Sequence, residues 1–160
     1  MSKISLRIFL VAVAATFTVP AFTVPALAQE FRAGNIIVTH PWMRATAKAK
    51  FAATVLFDIT LTGTEHETLL GATSPMAGVV DIREAATFDS IYRSVRVEKA
   101  QIPPGSYRLS SDHIHLMLLQ APILEEGTTV PVTLLFENAG ELEIQVPVLN
   151  LRAMDPRPPL

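Results

Sequence analysis

Apolar positions in this chain recur with period 2 over short runs rather than with the 3.6 period of a helix, so the pattern predicts strands. Asn35–Thr39 is a compact β-branched run, and Phe51, Ala53, Val55, Phe57, Ile59 and Leu61 alternate onto one face of the next. Shorter candidates follow at Glu67–Ala72 and Val79–Arg83, then an alternating run at Ser90–Glu98. Ile102-Pro103-Pro104-Gly105 is a strong turn signal ahead of a further strand that carries Asp112 to Met117. Near the end Thr128–Phe136 and Glu141–Val148 flank Asn138-Ala139-Gly140, which fits a tight hairpin, with Leu142, Ile144, Val146 and Val148 on one face. Pro131 and Pro147 inside those runs predict a sheet edge or a bulge, because proline cannot donate to a ladder. About eight short strands with turns between them describe one all-β, antiparallel sandwich.

The ends of the chain change the accounting of that domain. Lys3 and Arg7 precede a short apolar core from Ile8 to Ala15, and Ala26-Leu27-Ala28 is a small-x-small cleavage pattern. This is the layout of a secretory signal peptide over residues 1–28, with an apolar core too short to span a bilayer. The expected product is an exported, periplasmic protein with no membrane span after processing. Residues 29–151 would form the domain, and residues 152–160, with Pro156, Pro158 and Pro159, a flexible tail. The 132 residues after the leader suffice for one core and not for two. They carry 11 basic and 15 acidic residues, a balance that argues against nucleic acid as a partner. The absence of cysteine removes disulfides, thiolate nucleophiles and zinc–thiolate sites together.

Candidate chemistry concentrates in Asp112-His113-Ile114-His115-Leu116-Met117. In an extended strand His113, His115 and Met117 share one face, and Ile114, Leu116 and Leu118 make the core face opposite. Two imidazoles at this spacing suit Cu(II) or zinc, and a thioether suits Cu(I). Met117 would be a third donor at nearly 7 Å along the strand, and His40 or Met43 would join only if the fold brought their segment close. The competing reading is a pair of solvated histidines on an edge strand. His40 reads as structural, Trp42 as a core anchor and His66, between Glu65 and Glu67, as a solvated loop residue. Arg83, Arg93 and Arg96 against Glu84 and Glu98 read as cross-strand charge pairs. Ser110, Ser111, Asp112 and His113 are contiguous on a turn, whereas a catalytic triad is assembled from separate segments; the chain is not expected to be an enzyme.

His40-Pro41-Trp42-Met43-Arg44-Ala45-Thr46, Ile102-Pro103-Pro104-Gly105 and His113-Ile114-His115-Leu116-Met117 together resemble the PCu(A)C family of periplasmic copper chaperones, from about Asn35 to Val148. The resemblance implies a cupredoxin-like, Greek-key sandwich. It also implies a monomer that holds Cu(I) and passes it to a copper-accepting protein, an oxidase assembly factor or subunit. The four ligand positions of that family fall on Arg83, Ser94, His113 and His115. Only His113 is the expected residue; His115 replaces a methionine, Arg83 a histidine and Ser94 a methionine. Arginine cannot lose its proton, and a hydroxyl is a poor donor to a soft ion. The metal site expected from the sequence is therefore His113 and His115, and a family member that has lost metal binding and serves as a protein-interaction module is the alternative.

Overall fold

The computed structural model describes residues 29–47, 52–89 and 91–160. The leader expected at 1–28, and Phe51 and Ser90 at the starts of two expected strands, lie outside the described residues. Eleven strands are formed: β1 (Glu30–Ala33), β2 (Ile36–Arg44), β3 (Ala52–Leu61), β4 (Glu67–Thr73), β5 (Val79–Phe88), β6 (Ile91–Val97), β7 (Ala100–Ile102), β8 (Gly105–Arg108), β9 (Ile114–Leu119), β10 (Thr129–Phe136) and β11 (Gly140–Leu149). Among the described residues there is no helix, and so none long and apolar enough to cross a membrane. The expected all-β class holds. β1, β7 and β8, each three or four residues long, are too short for alternation to reveal.

The strands follow the order β6-β5-β9-β3-β2-β11-β10-β4-β7, with β1 also on β2 and β8 also on β3. Pairing is antiparallel except at one place, where Val148 and Leu149 of β11 lie parallel to Met43 and Arg44 of β2. The rest of β11 pairs with β10, so β11 joins a β6-β5-β9-β3-β2 layer to a β10-β4-β7 layer. The faces read from alternation are those that pack. Ala53, Val55, Phe57, Ile59 and Leu61 meet Val130, Val132, Leu134, Phe136, Leu142, Ile144, Val146 and Val148 in one buried cluster with Leu116 and Leu118. Pro131 sits on β10 beyond Thr133, the last residue of β10 paired with β4, so its missing N–H interrupts no ladder there.

Away from the histidine strand, buried charge fixes the sandwich at two points. Glu67, on β4, is buried and accepts hydrogen bonds from the backbone N–H groups of Thr68 (2.8 Å), Asn138 (3.1 Å) and Ala139 (3.0 Å) and from the Asn138 side chain. Burial alone would raise its pKa. The converging donors prevail and hold the carboxyl below its ordinary range. The carboxylate thus caps the β10–β11 turn, which ends at Gly140 with φ +77°. We expect Glu67→Gln to cost about 1.5–3 kcal/mol at neutral pH, because it removes a charge-assisted acceptor from buried N–H groups. The cost should shrink as pH falls below the unfolded carboxyl value, where the native group loses its own advantage; chemical denaturation at pH 7 and pH 3.5 measures both.

The second point is Asp58, buried on β3 on the face turned away from the core. Arg108 of β8 reaches it with two parallel bonds, Nε to Oδ1 at 2.8 Å and Nη2 to Oδ2 at 3.0 Å. Arg157 adds Nη1 to Oδ1 at 3.1 Å and a bond to the Leu109 carbonyl at 2.8 Å, its side chain fully enclosed. Residues 152–160 therefore lie against the sheet, with further bonds from Arg44 Nε to the Ala153 carbonyl and from Arg108 Nη2 to the Pro158 carbonyl.

Candidate metal centre

The histidine strand is not an edge. β9 lies between β5 and β3, with Ala52–Val55 paired along one side and Val79–Glu84 along the other. The strand starts at Ile114, so His113 lies on the turn before it: its N–H donates to the Ser110 carbonyl (3.1 Å), and Ser110 N–H donates to the Ile114 carbonyl (3.0 Å). This corrects the expectation of two equivalent imidazoles on one extended, exposed face. His113 is exposed, with Nδ1 3.4 Å from Ser110 Oγ, whereas His115 is only 2% exposed. Alternation missed the asymmetry because a period-2 pattern does not show where a turn becomes a strand.

His115 is held at both ring nitrogens. Nδ1 lies 3.2 Å from the His113 carbonyl oxygen, which can only accept, so Nδ1 carries the proton and Nε2 the lone pair. Nε2 lies 3.0 Å from Ser94 Oγ, which donates to it. Ser94 comes from β6, opposite Ala85 of β5, and that small side chain lets the imidazole reach across the intervening strand. Arg83 stands directly opposite His115 on β5, and its Nη1 donates to the Ser94 carbonyl at 3.0 Å. The β6-β5-β9 register thus brings Arg83, Ser94, His113 and His115 to one corner, although they are spread over 33 positions of sequence. Burial lowers the His115 pKa, the Arg83 charge adds to that, and the His113 and Ser110 backbone contacts oppose it.

The charge pairing here differs from the expected one. Arg83 and Arg96 face each other across β5–β6, and the acid that serves both is Asp81, which is buried, at 3.7 Å from Arg83 Nε and 3.3 Å from Arg96 Nε. Glu84 and Glu98 are exposed. Like charges directly opposite destabilise a sheet, so a carboxylate shared between them is what the register requires.

The other donors weighed from sequence lie elsewhere. Met43 is fully buried in the core, on the face opposite His115. His40 sits at the β2 bulge with φ +50°, its Nδ1 3.6 Å from Asp58 Oδ2. Trp42 is 1% exposed and pairs with Leu56 outside the main cluster, beneath the Arg44 guanidinium at 5.1 Å. Met117 is half-buried between Thr54 and Asp81 in the register, one step along from His115. Among the described residues no group of three or more His, Asp or Glu side chains converges as a metal site. What the corner offers is one buried imidazole with a lone pair under a serine hydroxyl, one exposed imidazole, and a fixed cation beside them.

Comparison with known proteins follows the same lines. The LpqE-like family, a lipoprotein family by its description, matches residues 36–148. Among solved structures the chain is similar to the apo PCuAC domain from PmoF1, at 27% identity with a TM-score of 0.66, over 75% of this chain and 98% of that one. The copper-bound PCuAC domain from PmoF2 matches at 22% identity with a TM-score of 0.65, over 76% and 98%. The Cu(I) form of DR1885 from Deinococcus radiodurans matches at 22% with a TM-score of 0.56, over 88% and 98%. No curated protein sequence matches.

Proposed function

From the premise that this chain belongs to the LpqE-like family, of PCuAC type and cupredoxin-like fold, we propose that it binds copper through His113 and His115 and releases it to a partner protein. The observation that supports the reading is His115 Nε2 facing Ser94 Oγ at 3.0 Å, its lone pair open to exchange because Nδ1 faces the His113 carbonyl, with the exposed His113 two residues away on the adjoining turn. Copper would displace the Ser94 hydroxyl from Nε2 and draw in the exposed His113. Two imidazoles shift preference toward Cu(II) relative to a thioether set. Few ligands, one of them on a surface turn, favour release by ligand exchange over storage.

The copper forms of two similar structures support copper as the cargo. The receiving protein we propose is a respiratory oxidase subunit or its assembly factor, and the compartment the periplasm, reached through the 1–28 leader. The 160 residues contain no cysteine, so none of them can carry a thioether-linked lipid.

Titration of the chain with Cu(I) and Cu(II), against the His113→Ala/His115→Ala variant, tests the site. We expect the double variant to lose about tenfold or more in Cu(II) affinity. Equal binding by the two proteins would sink the assignment. One observation favours a second reading, a protein-interaction module without metal: Arg83, paired toward Asp81 and bonded to the Ser94 carbonyl, puts a permanent positive charge beside His115. Absence of binding by the unaltered chain selects it.

A further inference from the structure

The C-terminal segment is fastened at Leu109, the residue before the turn that carries His113. Arg157 is the one side chain of residues 150–160 that is wholly enclosed, and its Nη1 spends one bond on Asp58 and another on the carbonyl of Leu109. Leu109 also donates its N–H to the Phe57 carbonyl at 2.9 Å. The next residue begins the tight turn Ser110–His113, closed by Ser110 N–H to Ile114 O and His113 N–H to Ser110 O. The His113 carbonyl at its end accepts from Ala85 N–H (3.1 Å) and faces His115 Nδ1 (3.2 Å). One guanidinium therefore clamps the residue from which the turn carrying one imidazole, and the carbonyl orienting the other, is hung.

We propose that Arg157 is a positioning residue for the metal centre: by tying Leu109 to Asp58 it fixes the Ser110–His113 turn, and with it the placement of His113 and the tautomer of His115. This rests on the copper reading above. Arginine is the residue the task needs. Its planar fork serves Asp58, the Leu109 carbonyl and Asp155 (Nε to Oδ1, 2.8 Å) at the same time, which the single ammonium of lysine cannot do in that geometry. The prolines on either side, Pro156 and Pro158, restrict the segment and lower the entropy lost in seating it. Arg44 holds the same segment at Ala153, away from Leu109, and so separates attachment of the segment from control of the turn.

The test uses the full chain with Arg157→Ala, Arg157→Lys and Arg44→Ala. Amide hydrogen exchange is read at Leu109, Ser110 and His113, and copper affinity is read in parallel. The expected result is exchange at those three amides faster by about tenfold or more in both Arg157 variants, with core strands β10 and β11 protected as before. Copper affinity should fall about three- to tenfold with them, and Arg44→Ala should leave both readouts near those of the unaltered chain. Unchanged exchange at the turn in Arg157→Lys overturns the proposal, as does faster exchange with unchanged copper affinity while His113→Ala weakens it. If Arg157→Ala fails to fold, Arg157→Lys decides. If the unaltered chain binds no copper, the metal reading fails by itself and the exchange data alone decide whether Arg157 controls the turn.

Discussion

Asp58→Ala is expected to lower stability by about 3–5 kcal/mol and the melting temperature by roughly 10–20 °C. The cost arises less from lost attraction than from what remains: Arg108, three-quarters covered, loses the carboxylate that grips it through two bonds, and Arg157, fully enclosed, is left with the carboxylate of Asp155 alone. Breaking a buried pair from one side is expensive for that reason, whereas replacing the whole cluster by apolar residues of similar volume can be neutral. Asp58→Asn should fall between, since an amide oxygen still accepts from Arg108 but offers no charge. Thermal denaturation of the three proteins measures the series. A loss under 1 kcal/mol in Asp58→Ala would mean that water reaches the site and screens both guanidiniums.

The second large effect concerns the corner at His115. Replacing Arg83 by histidine and Ser94 by methionine together should raise Cu(I) affinity by about 100-fold. The register already puts position 83 opposite His115, and Ser94 Oγ already lies 3.0 Å from Nε2, so the new imidazole and thioether enter where donors can meet. The change also removes a permanent cation from beside the ion. Competition against a Cu(I) chelator measures the gain, and repeating it with His115→Ala should abolish most of it. An unchanged affinity would show that the corner's backbone, rather than its side chains, excludes the metal.

Much of this architecture was legible in the chain. Period-2 alternation identified the core faces of β3, β9 and β11, because one buried face imposes it. The three short strands escaped because two side chains per face carry no period. At the site, the resemblance placed Arg83 and Ser94 at the ligand positions, and the register brings both to His115. The burial of His115 was not legible: it depends on β6 and β5 packing on one side of β9, a contact between segments 21 residues apart. Neither was Asp81 as the shared acid, since sequence neighbours Glu84 and Glu98 looked equally able to serve. The tail was hardest. Proline content suggested a loose end, and only the tertiary position of Asp58 explains why Arg157 goes inside.

The single parallel step between Val148–Leu149 and Met43–Arg44 also sets an order of events. The second half of β2 and the outer side of β10 have no other neighbour to complete them, so both layers wait for the strand that comes last in the chain. Any fragment ending before Gly140 leaves the eight residues of β10 open along one side and a short edge at Met43–Arg44, the form in which β-sheet proteins recruit one another. Such a topology closes only once β11 is in place, and until then the open side of β10 is the surface most in need of cover.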